Sequence, residues 1–154
     1  MPKIDMANVP LESRSDYPEP FNRVVAGRSR KRLGDAAGLE QFGVNLTTLK
    51  PGAASALRHW HEKEDELVYI LEGEVVLIED GGETVLKGGD AAGFRANVRN
   101  GHHLVNKTNR NALFLEIGTR SKYERAEYPD VDMVAMCDDR GERYIHKSGE
   151  PYPR

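Results

Sequence analysis

The chain has 154 residues, enough to bury one real core and too few for two comfortable ones, and its net charge of -3 offers no field to draw nucleic acid or an anionic membrane. Cys137 is the single cysteine, which rules out an intrachain disulfide and a cysteine-rich zinc site. Neither a secretory signal nor a bilayer-long apolar run is visible, so a cytoplasmic protein without a membrane partner is expected.

Plentiful Gly (15) and Pro (8) suit short elements joined by tight turns and tilt the reading toward all-β. In chain order the sequence divides into an arm over residues 1–40, a core over 41–120 and an extension over 121–154 that packs on the core or on a partner subunit. The arm is polar and broken by Pro18 and Pro20. Its basic run, Arg28, Arg30, Lys31 and Arg32, reads as solvated surface in preference to a site for an anionic partner. From Phe42 the pattern changes, with Phe42, Val44 and Leu46 alternating against Gly43, Asn45 and Thr47 in the two-residue period of a half-buried strand. Leu67 to Ile78 is apolar on both faces, with Gly73 marking a break between two strands. Asp80-Gly81-Gly82 is a hairpin signal, Thr84 to Leu86 returns as partner, and Gly88-Gly89-Asp90 turns again. His102 to Val105 and Ala112 to Ile117 close the set. Roughly seven or eight short strands result, the signature of a sandwich or closed barrel. Arg120 to Tyr128 has the composition of a short helix stopped by Pro129, and the tail beyond is polar and turn-rich.

Four of the five histidines fall in two pairs, His59/His61 and His102/His103. Residues two apart on a strand share a face, so His59 and His61 aim imidazoles at a common point while Trp60 faces the other way. Glu66 follows past an acidic turn, where a neighbouring strand can return a carboxylate to the same pocket. By the same parity Val68 and Ile70 line the inward face. Two imidazoles and a carboxylate form an open-sided set for zinc, manganese, iron or nickel. A third imidazole from a later strand would complete it, with His102 the candidate and His103 its rival.

These segments resemble the two sequence motifs of the cupin superfamily. The first reads Gly52, six residues, His59-Trp60-His61, four residues, Glu66, six residues, Gly73. The second reads Gly89-Asp90 and later His102, three residues, Asn106. The resemblance implies a jelly-roll barrel, a double-stranded β-helix, in which His59, His61, Glu66 and His102 bind one divalent transition metal. It gives Asn106, Gly73 and Gly89 structural roles. Arg95-Ala96-Asn97 stands where such proteins usually carry a Pro-x-Gly turn. Glu64, Tyr69 and Arg95 are the nearby groups to consider for proton transfer or anion binding, and no organic cofactor is expected. The function anticipated is a metal-dependent enzyme acting on a small polar metabolite such as a sugar or sugar phosphate, isomerase-like. A cupin-type oxygenase and a non-catalytic ligand-binding module are the alternatives. Apolar residues on both strand faces, Leu67, Tyr69 and Leu71 on the outer one, lead to the expectation of a homodimer.

Overall fold

Period-two patterning becomes twelve antiparallel strands among residues 2–153, which the computed structural model describes. A five-stranded sheet is ordered β1 (Arg28–Arg32), β2 (Phe42–Leu49), β9 (Ala112–Thr119), β4 (Glu66–Glu72), β7 (Ala91–Phe94). Facing it is a three-stranded sheet ordered β6 (Gly82–Lys87), β5 (Glu74–Glu79), β8 (His103–Val105). Bridges Ala54↔Val105 and His59↔His102 continue this sheet onto the segment before β3 (Trp60–His61). From β3 a four-stranded sheet runs through β10 (Glu124–Tyr128) and β11 (Met133–Asp138) to β12 (Gly141–Ile145). The result is a jelly-roll barrel, as anticipated from the strand pattern and the motifs.

Register sets what the barrel contains. On the inner face of the five-stranded sheet, Leu49 stands opposite Ala112, and Thr47, Phe114 and Ile70 form the next row. Asn45, Glu116 and Val68 follow, and then Gly43, Gly118 and Glu66. Along this one surface the lining passes from apolar to polar within a few residues. Leu49, Ile70 and Phe114 are fully buried and pack against Val75, Leu77, Leu86 and Leu104 of the facing sheet. Each such side chain contributes roughly 1.5–3 kcal/mol by leaving water. The closed end therefore holds the barrel together, and the polar end is left for chemistry. Leu67, Tyr69 and Leu71 alternate with this lining and stand 42%, 41% and 40% exposed on the outer face.

Gly73, between β4 and β5, shows why only glycine serves there. Its φ is 80°, and a Cβ would lie 2.8 Å from the carbonyl oxygen of Asn111. Asn106 is fully buried, donating through Nδ2 to the carbonyls of Leu49 (2.9 Å) and Arg110 (2.7 Å) and accepting from Thr108. It clamps the chain between β8 and β9.

Two expectations are corrected. Arg120 to Tyr128 forms no helix: β10 pairs with β11 on one side and β3 on the other. Glu, Arg and Ala favour helices, but Ala126 and Tyr128 alternate with Arg125 and Glu127, and burying the first two on a sheet face outweighs local preference. The tail beyond Pro129 continues as the β11–β12 hairpin, turned at Gly141 with φ 90°. The basic run is likewise no solvated stretch. It is strand β1, paired from Arg28↔Leu49 to Arg32↔Asn45, and Arg28 is only 9% exposed. No helix is long and apolar enough to cross a membrane among the described residues.

Candidate metal centre

Backbone pairing builds the site before any side chain is considered. His59 and His102 are directly opposed, with the His59 N–H donating to the His102 carbonyl (3.2 Å) and the His102 N–H to the His59 carbonyl (2.9 Å). Opposed residues project to the same face, and their ring centroids lie 4.7 Å apart. His61, two residues along, joins them with its ring 5.0 Å from that of His59. Glu66, from the inner face of β4, supplies the carboxylate. Its Oε1 lies 3.3 Å from His59 Nε2 and touches His61 Nε2, while its Oε2 lies 3.3 Å from His102 Nε2.

The protonation pattern shows what this arrangement needs. His59 Nδ1 contacts the Leu57 carbonyl at 2.8 Å, and a carbonyl only accepts, so Nδ1 carries the proton. In neutral His59 the Nε2 lone pair then faces Glu66, an unfavourable contact that a proton or a cation between them relieves. Such a backbone hydrogen bond is also how metal-ligating histidines are oriented. The ligand atoms of His59, His61 and Glu66 lie within 4.8 Å of one another, close to what two metal–ligand bonds of about 2.1 Å span. The residues fit a divalent cation, with imidazoles and one carboxylate suiting zinc, manganese, iron or nickel. Burial opposes the charge of Glu66, but the surrounding histidines, His102 and His59 foremost, outweigh it and hold its carboxyl well below the usual range. For His61 burial is likewise outweighed, here by Glu66, and its pKa is raised. Burial pushes the His102 pKa down.

Neighbouring groups sort themselves by their bonds. His103 turns its Nδ1 to the Ala56 carbonyl at 2.7 Å, away from the cluster that His102 joins. A second group, His61, Glu64 and Glu124, also comes together. Glu124 Oε1, however, already accepts backbone N–H bonds from Glu62, Lys63 and Arg125 at 3.1, 3.1 and 2.7 Å, which satisfies its charge without an ion. Glu64 lines the cavity onto which the cluster opens, accepts from the Ser121 N–H at 2.8 Å and has its pKa pushed up by burial. Arg95 is exposed at the rim of a smaller cavity of ≈ 230 Å³ that reaches His61 and His102. Tyr69 is a correction: it lies on the outer face of β4, opposite in parity to Glu66, and does not face the site. Asn97 holds the unusual turn with φ 63°, its N–H bonded to the His61 carbonyl at 2.7 Å, while the Ala96 N–H bonds Asp65 at 2.7 Å.

Two wall residues escaped the sequence reading. Phe94 stacks on His102 with centroids 3.6 Å apart and planes 1° from parallel, and Tyr128 lies 5.8 Å from the His59 ring. Phe94 pairs directly with Glu66, so a correct β4–β7 register would have found it. Tyr128 was hidden by the helical reading of its segment. The cluster opens into a cavity of ≈ 350 Å³, and a larger one of ≈ 950 Å³ adjoins it beneath β10–β12.

With this geometry in view, residues 45–118 match the family model of the cupin domain. A crystal structure of a sugar phosphate isomerase of the cupin superfamily from Silicibacter pomeroyi is 46% identical to this chain, with a TM-score of 0.94. The alignment covers 98% of this chain and 96% of that one. The chain belongs to the cupin superfamily. A putative sugar phosphate isomerase from Acidithiobacillus ferrooxidans is 27% identical over 88% of this chain and 85% of its own, with a TM-score of 0.77. A polyketide cyclase from Streptomyces resistomycificus, 19% identical over 77% and 79% at a TM-score of 0.63, shares the cupin fold alone. No curated protein matches.

The two opposed shifts set a pH dependence in chelator-treated cupin. His61, raised, stabilises fully below its ordinary value of 6.5 and loses that contribution as pH rises through the raised value. Glu66, lowered, stabilises above 4.5 and loses its contribution as pH falls through the lowered value. Melting temperature is therefore expected to fall as pH rises above 6.5 through the raised His61 value, and added divalent metal is expected to restore it by taking the place of the proton. Thermal melts at stepped pH check this, and a flat profile in metal-free protein contradicts it.

Proposed function

We propose that this cupin is a metal-dependent isomerase of phosphorylated sugars. What carries the reading is the 46% identity, along 98% of the chain, to a protein described as a sugar phosphate isomerase. The convergence of His59, His61, Glu66 and His102 at a cavity supports it.

In this reading those four side chains hold one divalent ion, which supplies a Lewis acid for the carbonyl and hydroxyl oxygens of an open-chain sugar. Phe94 fixes the His102 ring by stacking, and Tyr128 walls the His59 side. Glu64 is the group suited to move a proton. Its carboxyl is shifted upward by burial, and its Oε1 lies 3.8 Å from His61 Nδ1, beyond hydrogen-bond reach and so available. Aldose–ketose isomerisation takes a proton from the carbon beside the carbonyl and returns one to the former carbonyl carbon, which a single carboxylate can do in both directions.

Conversion of phosphorylated aldoses to ketoses is expected with metal-loaded protein and is lost in His61→Ala and Glu66→Gln. Glu64→Gln should keep its metal and lose roughly 10²–10⁴ in kcat. An assay panel of phosphorylated aldoses and ketoses without turnover overturns the reading, and tight binding without conversion makes the protein a ligand-binding module.

A cytoplasmic enzyme is proposed with it, in keeping with the free Cys137. A second copy of the chain is proposed over the outer face of the five-stranded sheet. There Leu67, Tyr69 and Leu71 adjoin Leu113, Leu115 and Ile117 of β9 and Val44 and Leu46 of β2 in one apolar surface. Light scattering at micromolar concentration is expected to give the dimer mass, and a monomer would exclude this assembly.

A further inference from the structure

Strand β1 carries arginine at alternate positions, Arg28, Arg30 and Arg32, with Ser29 and Lys31 between them. Their partners in β2 are Leu49, Thr47 and Asn45, the inward-facing residues of that strand, so all three arginines belong to the face that lines the barrel. A small barrel normally fills that face with apolar side chains, and three cations there require a reason.

Arg32 is satisfied locally, with its Nε 2.7 Å from Glu12 Oε2 at the rim. The other two are less so. Arg28, 9% exposed, donates through Nη1 to the Ser55 carbonyl at 2.7 Å, a neutral acceptor. Arg30 Nη2 meets Glu116 Oε1 at 3.2 Å, and its Nε is buried without a hydrogen-bond partner. Glu116 also accepts from Thr47. Tyr17 and Tyr144 also lie near Arg28, and burial pushes their pKa up and keeps them neutral. Glu116 is the carboxylate that both guanidiniums share, with Glu12 also near Arg30 and Asp16 in the cavity wall, so the buried Arg28 is met directly by a neutral carbonyl, an arrangement that costs stability and that a further anion would relieve.

The location of this charge matters as much as its sign. Arg28, Arg30 and Glu116 line the same ≈ 350 Å³ cavity as His59, His61, Glu66 and His102. Glu66 pairs with Gly118, so Glu116 is its diagonal neighbour across β4 and β9, about 7–8 Å away. Gly118 and Gly43 follow Glu66 in its row of the inner face, and the absence of a Cβ at Gly43 makes room for the Arg120 guanidinium, which also lines the cavity. The His/Glu cluster and the guanidinium pair thus line one cavity, and the diagonal of about 7–8 Å from Glu66 to the Glu116 that Arg30 meets is within the span of a sugar's carbon chain.

We propose that Arg28 and Arg30 form the anion subsite of this cavity, binding the terminal phosphate or carboxylate of a sugar derivative whose carbonyl end reaches the His59/His61/Glu66/His102 cluster. Recognition of the anion needs only the arginines. Its pairing with the cluster rests on the isomerase reading above. Planar guanidiniums suit the task because they fork two N–H donors onto two oxygens of one anion.

Calorimetric titration of the full-length protein as purified, at constant ionic strength, with glucose 6-phosphate, gluconate and glucose tests the subsite. Glucose 6-phosphate is expected to bind about ten-fold or more tightly than glucose, and Arg30→Met is expected to abolish that margin. Gluconate binding like glucose 6-phosphate identifies the subsite as one for any terminal anion, whereas gluconate binding like glucose restricts it to phosphate. Equal affinity of the wild type for glucose 6-phosphate and glucose overturns the proposal, as does a folded Arg30→Met protein that keeps the margin. Should Arg30→Met fail to fold, the wild-type comparison still decides, and Arg28→Lys, which keeps the charge and loses the fork, replaces it.

Inorganic phosphate separates this subsite from the metal reading. Phosphate binding that survives His61→Ala and disappears in the arginine variant belongs to the arginines even if the cluster holds no metal. Binding that disappears in His61→Ala and survives in the arginine variant belongs to the cluster and overturns the proposal, as does wild-type protein that binds no inorganic phosphate.

Discussion

A carboxylate surrounded by three imidazoles is the constraint on which the rest of this structure depends. Glu66 sits in a pocket whose low polarity opposes its charge, and the groups that offset the cost are His59, His61 and His102. Because His59 commits its Nδ1 proton to the Leu57 carbonyl, its other nitrogen meets Glu66 as a lone pair unless a proton or metal ion intervenes. The cluster could hold a cation, and the elements around it keep the four side chains in place.

The barrel does this through register. Glu66 lies on the inward parity of β4, so Val68 and Ile70 follow it into the core and tie the site rigidly to the apolar end. His102 is fixed by reciprocal backbone bonds to His59 and by the ring of Phe94 stacked upon it. The C-terminal strands complete the enclosure. β10 pairs with β3 beside His61 and brings Tyr128 to His59, while Tyr17 from the N-terminal arm packs edge-on against Tyr128 and Tyr144. Segments outside the motif region thus form the walls of the cavity.

The parts legible in the sequence were those with short-range spacing. His59 and His61 share a face by strand parity, Gly73 separates two strands, and the alternation after Phe42 gives β2 directly. What could not be read depended on pairing between distant strands. The arginines of β1 look like a solvated basic run until the register with β2 shows that all three face inward. Residues 124–128 have helix-favouring composition, and only their place between β3 and β11 makes them a strand. Tyr69 has the opposite parity to Glu66 on β4, so closeness in sequence does not bring it to the site.

Cupin family membership fixes the fold, and the chemistry is the proposal made above. Both gain meaning only if the four side chains bind an ion. Elemental analysis of freshly purified protein, with Glu66→Gln and His102→Ala beside the wild type, tests this most directly. About one divalent transition-metal ion per wild-type chain, strongly reduced in both variants, is the result the account predicts. Wild-type protein that stays metal-free after incubation with zinc, manganese, iron and nickel, or variants that load as well as wild type, would contradict it.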